Sequence, residues 1–156
     1  MDCEKRQAMD LNREIEAYLR ENWEQMVSDI DALVRIPSVE DLSAAEPGAP
    51  FGPASARALH AALAIAQRMG FDAHDCEGFV GYADLPGATG DQIGVIGHVD
   101  VVPAGPGWSF PPFEVSHRDG FLVGRGVSDD KGPLVVALHA VNFWKEKDAE
   151  IGRAHV

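Results

Sequence analysis

Cysteine is scarce in this 156-residue sequence, which contains only Cys3 and Cys76. Two cysteines are too few for a disulfide framework, and neither lies in a C-x-x-C pair. We therefore expect two free thiols, which are typical of a reducing compartment. The N-terminus lacks the apolar segment of a signal peptide, because MDCEKRQAMD is charged from its second residue. Since no apolar run approaches the ~20 residues of a membrane span, the expected location is the cytoplasm and no membrane partner is expected.

Basic residues are also few, with 13 Lys and Arg against 25 Asp and Glu and a formal net charge of -12. No basic stripe is available to displace counterions from a phosphate backbone, which disfavours a nucleic-acid partner. Phosphate-binding glycine loops and the serine-hydrolase motif are absent. GRGVSDDKG contains Gly-x-Gly but neither G-x-G-x-x-G nor a Walker sequence, and Ser128 lacks the G-x-S-x-G elbow of serine hydrolases.

Three stretches have the apolar spacing of amphipathic helices. The first should end by Ile36, because Pro37 disfavours helical geometry in the residue before it. Residues 38–53 predict a loop. The second helix should end near Gly70, and the third should carry Pro133 in its first turn. Their apolar faces comprise Leu11, Ile15, Leu19, Met26, Ile30, Leu33 and Val34; then Leu59, Ala62, Leu63, Ala66 and Met69; then Leu134, Ala137, Leu138 and Val141.

Residues 71–75, 79–85 and 92–100 have strand-like patterns. The third is apolar through Ile96, which predicts a central strand covered on both faces. Residues 113–126 predict a β-hairpin with Asp119 and Gly120 at its turn. Because helices alternate with strands, the fold class expected is α/β, a sheet with helices packed on it.

His98 and Asp100 stand at the end of the third predicted strand. Side chains at positions i and i+2 of a strand share one face, and the carboxyl end of a central strand borders the crevice where α/β proteins bind ligands. A neutral imidazole is a zinc ligand, and a nearby carboxylate can accept its other N–H. The alternative is a chance His-x-Asp pair with a structural role.

Asp129 and Asp130 precede the third helix, where the helix dipole favours negative charge. One interpretation is a capping Asp beside a solvated one. The other is that the glycine-rich hairpin returns a carboxylate to the crevice of His98, where its two oxygens could bridge two metal ions about 3.5–4 Å apart. His60, His74, His117 and His139 have no ligand-like spacing and are interpreted as surface or core residues.

Residues 97–133 join H-x-D-V-V-P, W-x-x-x-P-F and G-R-G-x-x-D-D-K-G in one order. This block resembles the signature of the co-catalytic zinc aminopeptidase-like family, which includes aminoacylase, acetylornithine deacetylase, succinyl-diaminopimelate desuccinylase and carboxypeptidase G. RIPSV (35–39), GAPFG (48–52) and GYADLPG (81–87) resemble its PepV/Sapep dipeptidase branch.

The resemblance implies the N-terminal part of a zinc-peptidase catalytic domain, with a central mixed sheet, truncated before the lid domain. It implies that His98 ligates one of two divalent ions and that Asp129 bridges both. Asp100 would serve catalysis by orienting the imidazole, and a cis peptide would join Asp129 to Asp130. Zinc is expected first, with manganese or cobalt as alternatives. The implied reaction is hydrolysis of dipeptides by metal-activated water, with an N-acyl amino acid amidohydrolase or a carboxypeptidase as the alternative. A non-catalytic binding module on the same fold is an alternative of a different class.

Several residues that the family requires have no counterpart here: a Glu-Glu pair with the general base, a later Asp ligand and a His near the C-terminus. Glu146 and Glu150 are not adjacent and come too early. The tail IGRAHV can be back-translated into a common sequencing-adapter string. We therefore expect residues 1–149 to be the N-terminal portion of the catalytic domain and residues 150–156 a non-native tail. The 156-residue chain alone should bind metal weakly and lack measurable peptidase activity.

Overall fold

The computed structural model describes residues 3–87, 92–147 and 153–155. In these ranges the chain forms helices α1 (Cys3–Val34), α2 (Pro53–Arg68) and α3 (Lys131–Glu146), and a short 3-10 helix at Leu42–Ala44. The predicted helices are confirmed, including their ends. α1 stops shortly before Pro37, and Gly70 follows α2 with φ +79°, a left-handed conformation that glycine adopts at low cost. No helix in this part of the chain is both long and apolar enough to cross a membrane.

The strands form a mixed sheet and a separate hairpin. The sheet contains β1 (Asp72–Cys76), β2 (Val80–Leu85), β3 (Gln92–Gly94) and β6 (Arg153–His155), in the order β1-β2-β6-β3. β1 and β6 pair antiparallel with β2, whereas β3 and β6 pair parallel. The expectation of an α/β fold with a mixed sheet is confirmed. Residues 150–152 and 156 of the expected tail lie outside the described residues, and Glu150 is among them.

The prediction of a central, covered strand over residues 92–100 is wrong. β3 ends at Gly94 and lies at the edge of the described sheet, with β6 as its neighbour there. The side chain of Ile93 is 68% exposed and that of Ile96 is 99% exposed. An apolar run indicates which residues are suited to burial, but burial requires a covering element, and none of the described residues covers Ile96. Residues 95–100 are instead held by contacts with loops.

The predicted hairpin is confirmed as β4 (Ser116–Arg118) paired antiparallel with β5 (Phe121–Val123). Asp119 and Gly120 form its two-residue turn with φ values of +50° and +83°. Positive φ at both turn positions is the type I′ conformation, whose twist matches that of the flanking strands. The turn reverses the chain direction, and β5 then leads to the loop that precedes α3.

The hydrophobic core lies between the three helices and one face of β1 and β2. α1 contacts both α2 and α3, and α2 lies across β1 and β2. Leu33, Val34 and Val135 are fully buried at its centre. Leu33 and Val34 come from the predicted apolar face of α1, whereas Val135 lies outside the predicted face of α3, so the core fixes the end of α1 against the beginning of α3.

A buried polar cluster joins the same helices on the other side of the core. Asp29 of α1 is 2% exposed and accepts hydrogen bonds from Arg68 Nη2 (2.6 Å) and from Gln25 Nε2 (2.9 Å). His139 Nε2 lies 3.2 Å from Asp29 Oδ2, and His139 Nδ1 lies 3.3 Å from the hydroxyl of Tyr18. Each buried polar group thus has a partner, which offsets its loss of hydration. His139 is a core histidine.

Candidate metal centre

His98 and Asp129 are 31 residues apart in sequence but adjacent in space. His98 lies beyond β3, and Asp129 lies two residues before α3. The distance from His98 Nε2 to Asp129 Oδ1 is 3.0 Å. The structure therefore brings together the two side chains that the sequence analysis nominated as metal ligands.

Asp100 contacts the other nitrogen of the same imidazole. His98 Nδ1 lies 3.1 Å from Asp100 Oδ1 and 3.2 Å from the main-chain oxygen of Asp100. An N–H at Nδ1 can donate to either oxygen, which fixes the ring plane and turns Nε2 toward Asp129. This is the arrangement in which a carboxylate orients a metal-binding histidine.

Opposing effects act on the pKa of His98. Partial burial lowers the pKa, but the hydrogen bond to Asp129 and the negative charge of Asp100 raise it, and the net result is a pKa above 6.5. The two carboxylates therefore stabilise the protonated imidazole relative to a free histidine side chain.

Asp130 contacts the main chain of His98. Its Oδ2 accepts a hydrogen bond from the backbone N–H of His98 at 3.1 Å. Asp130 occupies the N-cap position of α3, yet its side chain makes no capping hydrogen bond to the helix. The interpretation of an Asp that caps α3 with its side chain is therefore wrong, because the carboxylate is directed to His98. The peptide bond between Asp129 and Asp130 is cis.

Lys131 is fully buried, and the sequence analysis did not single it out. Its Nζ donates to the main-chain oxygens of Leu33 (2.9 Å) and Ile36 (2.7 Å) at the end of α1. Burial lowers the pKa of Lys131 to about 8, and the charge of Asp100 opposes this shift. A signal was present in the sequence, because Lys131 is three or four residues before Leu134 and Val135 and so shares the apolar face of α3.

Two glycines make room for this loop. A Cβ on Gly97 would lie 2.8 Å from Asp130 Oδ2, and a Cβ on Gly132 would lie 1.9 Å from the main-chain oxygen of Val127. Both separations are shorter than real Cβ contacts allow. At Gly132 the obstacle is backbone, so the loop that begins α3 requires glycine there; at Gly97 a Cβ would displace the Asp130 carboxylate from its place beside His98.

The chemistry of the donor pair fits a divalent cation. Zinc bonds of about 2.0–2.2 Å in tetrahedral geometry place neighbouring donors about 3.3 Å apart, close to the 3.0 Å between His98 Nε2 and Asp129 Oδ1. Asp129 is exposed, so its second oxygen has room for a further ligand. In the described part of the chain, no group of three or more His, Cys, Asp or Glu side chains could hold a metal ion. The pair is thus a partial donor set.

The centre opens on an apolar cavity of about 890 Å³, which His98 and Asp100 line. Its walls come from α2, β2 and residues 95–103, and include Leu59, Leu63 and Ile96. Two other histidines have contacts of their own: His60 contacts Asp75 at 3.0 Å, and His74 stacks on Tyr82.

Comparison with known proteins gives a consistent family. Residues 94–154 match the sequence profile described as peptidase family M20/M25/M40. The chain is 36% identical over 143 residues to "Putative dipeptidase YtjP" of Bacillus subtilis (strain 168), covering 92% of this chain and 30% of that protein. It is 40% identical over 130 residues to "Putative dipeptidase SH1171" of Staphylococcus haemolyticus (strain JCSC1435). That match covers 79% of this chain and 28% of that protein. The chain thus spans less than a third of the length of these relatives.

Two solved structures share the fold. Human carnosine dipeptidase 1 superposes with a TM-score of 0.75 at 23% sequence identity, and the di-peptidase Dug1p from Saccharomyces cerevisiae with a TM-score of 0.70 at 22% identity. Each match covers 92% of this chain and 33% of the other chain. The fold is therefore that of one third of these larger proteins.

Proposed function

We propose that this chain, whose residues 94–154 belong to peptidase family M20/M25/M40, is the N-terminal part of the catalytic domain of a metal-dependent dipeptidase. The names of its relatives in Bacillus and Staphylococcus support the substrate class. The substrate would be a dipeptide or another small amide. We place the protein in the cytoplasm, which the exposed free thiol of Cys76 supports.

One observation carries the proposal: three residues of the signature block meet around a single imidazole. Asp129 lies 3.0 Å from His98 Nε2, and Asp100 lies 3.1 Å from His98 Nδ1. A histidine with one oriented nitrogen and one nitrogen beside a second candidate ligand is what a divalent cation requires.

The residues of this chain would bind and orient. His98 would hold one ion through Nε2, and Asp129 would hold two ions through its two oxygens. Asp100 would keep the proton on Nδ1, so that Nε2 stays available as a ligand. When bound, two divalent ions would supply Lewis acidity toward an amide carbonyl and toward water. Zinc suits the nitrogen ligand best, and manganese and cobalt are compatible with the oxygen-rich set.

The test is an assay of the longer open reading frame from the source locus. The purified protein should hydrolyse free dipeptides, lose activity in EDTA and regain it when Zn²⁺, Mn²⁺ or Co²⁺ is added. His98→Ala and Asp129→Ala should reduce the activity to background, and His117→Ala, on the remote hairpin, is the matched control that should keep it.

The substrate panel distinguishes the alternatives of the same family. Preference for N-acyl amino acids or for longer peptides would replace the dipeptidase assignment with an amidohydrolase or a carboxypeptidase. Activity that is indifferent to EDTA and to His98→Ala would overturn the metal-dependent mechanism itself. Absence of any hydrolysis, with retained ligand binding, would favour a binding module.

A further inference from the structure

We propose that Asp130 is a positioning residue of this centre: its carboxylate holds the main chain of His98 and thereby sets the imidazole against Asp129. The inference rests on the proposed function for its importance, but the contact itself is a property of the metal-free chain. It assigns separate tasks to two adjacent carboxylates, since Asp129 contacts the ring and Asp130 contacts the backbone of the same residue.

The geometry gives His98 two fixed points on one short segment. Asp130 Oδ2 lies 3.1 Å from His98 N, and Asp129 Oδ1 lies 3.0 Å from His98 Nε2. A ring attached to a main chain that is free to shift would vary its distance to Asp129. Asp130, which holds the amide of His98, directly follows Asp129, which contacts the ring. The backbone and the ring of His98 are therefore both held by the same loop.

Helix capping does not explain the position of the Asp130 side chain. An Asp at an N-cap ordinarily accepts a hydrogen bond from the N–H of the second or third helical residue. Asp130 makes no such bond to α3. Its oxygen instead contacts a residue 32 positions away, so the contact serves the meeting of two segments rather than the start of the helix.

Gly97, the residue before His98, leaves space for this contact. Gly97 has no positive φ, so its backbone conformation does not demand glycine. The demand is spatial, because a Cβ there would lie 2.8 Å from Asp130 Oδ2 and 3.2 Å from Leu134 Cδ1. Even a methyl group before His98 would push against the carboxylate that holds the His98 amide.

Lys131 anchors the far side of the same loop. Its Nζ donates to the main-chain oxygens of Leu33, in the last turn of α1, and of Ile36, just beyond that helix. The segment from Asp129 to Lys131 is therefore fixed at one end to α1 and at the other to His98. A rigid loop of this kind holds ligand donors at a set separation before a metal arrives.

The experiment compares Asp130→Asn with Asp130→Ala in the purified 156-residue chain. Asn keeps an acceptor oxygen and removes the charge, whereas Ala removes both. The first readout, at fixed pH without metal, is the NMR chemical shift of the His98 amide proton and of its ring nitrogens. We expect both to change in Asp130→Ala and to stay near those of the parent chain in Asp130→Asn.

The second readout is titration with Zn²⁺ alone, followed through the His98 side-chain resonances. Loss of a residue that orients a metal ligand typically weakens metal binding roughly 10- to 100-fold. We expect a loss of this size in Asp130→Ala and a much smaller loss in Asp130→Asn. Equal losses of Zn²⁺ affinity in the two variants would show that the charge of Asp130, and not its hydrogen bond, matters. His98 chemical shifts like those of the parent chain in both variants would show that the contact does not position His98. Either result overturns the inference.

A double-mutant cycle with Gly97→Ala tests the contact from its other side. Gly97→Ala should move the His98 amide in the parent chain but have little further effect in the Asp130→Ala background, because the two changes act on one contact. Fully additive effects would contradict the proposal. If the metal-free shifts follow Asp130 as expected but Zn²⁺ never perturbs His98, the positioning contact stands and the metal-ligand role proposed for His98 in this chain fails.

Discussion

His98 is contacted by three carboxylate side chains at three different atoms. Asp100 contacts Nδ1, Asp129 contacts Nε2, and Asp130 contacts the main-chain N–H. Such a concentration of negative charge around one half-exposed histidine stabilises a cation at that point. The proposed metal ions would be stabilised by the same negative charge.

Lys131 yields a stability prediction at the residue scale. Lys131→Met keeps much of the apolar side chain but leaves the carbonyls of Leu33 and Ile36 without their buried donor. The stability lost with these hydrogen bonds is partly offset, because folding no longer has to remove the Lys131 ammonium from water. We expect the free energy of unfolding to fall by about 1–3 kcal/mol, measured by urea denaturation.

The matched control is Lys147→Met. Lys147 also forms an ion pair, with Glu14 at 2.9 Å, but its side chain is 42% exposed. An exposed pair contributes about 0–1 kcal/mol, so this variant should unfold close to the parent. A Lys131→Met chain that is as stable as the control would refute the anchoring role of Lys131.

How far the sequence predicts the site differs between these residues. His98, Asp100 and Asp129 could be nominated because their chemistry and order form a recognisable pattern. The task of Asp130 could not, because a carboxylate before a helix suggests capping, and only three-dimensional proximity brings it to the His98 amide. The burial of Lys131 was not predicted, because a lysine side chain is ordinarily exposed to solvent. Its helical spacing nevertheless placed it on the buried face of α3.

At the scale of elements, the helix ends followed from local chemistry and the third strand did not. Pro37 and Gly70 act on their own backbone neighbourhoods, so their effects are visible in sequence. The burial of residues 92–100 depends on what packs against them, which the local pattern does not encode. Ile96 is therefore a suitable core residue that no described element covers.

The junction of the three helices depends on the buried polar cluster around Asp29. Its carboxylate accepts hydrogen bonds from Arg68 of α2 and lies within hydrogen-bond distance of His139 of α3. Asp29→Ala leaves the buried His139 without this partner and removes the ion pair with the half-exposed Arg68, and loss of a partner in a buried position is costly. We expect a loss of about 3 kcal/mol in the free energy of unfolding, measured by thermal and urea denaturation.

Glu16→Ala is the control on the same helix. Glu16 pairs with Arg20 at 3.7 Å, and both side chains are mostly exposed. Its loss should change the free energy of unfolding by less than about 0.5 kcal/mol. If Asp29→Ala were as mild as Glu16→Ala, the cluster would be a by-product of helix packing rather than a link between the helices.

At the scale of the whole molecule, the chain has one well-covered side and one uncovered apolar side. The helices bury Leu33, Val34 and Val135 completely. Among the residues that line the cavity beside His98, by contrast, Phe79, Val80 and Ile96 remain exposed. The chain spans less than a third of the length of its relatives. Contiguous exposed apolar surface of this kind promotes association.

Ile96 offers a direct test of this uncovered side. Its side chain is 99% exposed, so Ile96→Lys should leave the stability of the monomer nearly unchanged, while a lysine beside a sheet edge opposes pairing between chains. We expect the parent chain to self-associate with increasing concentration in sedimentation velocity, and Ile96→Lys to shift the distribution toward monomer.

Phe121→Lys separates this effect from a general gain in charge. Phe121 is 71% exposed but lies on the β4–β5 hairpin, away from the edge of β3. It carries the same change in charge and a comparable loss of exposed apolar surface, so a specific role for the uncovered side requires that this variant associate like the parent. Equal dispersal by both substitutions would mean that net charge alone controls association, and a parent chain that is monomeric at all concentrations would mean that the exposed side is not adhesive.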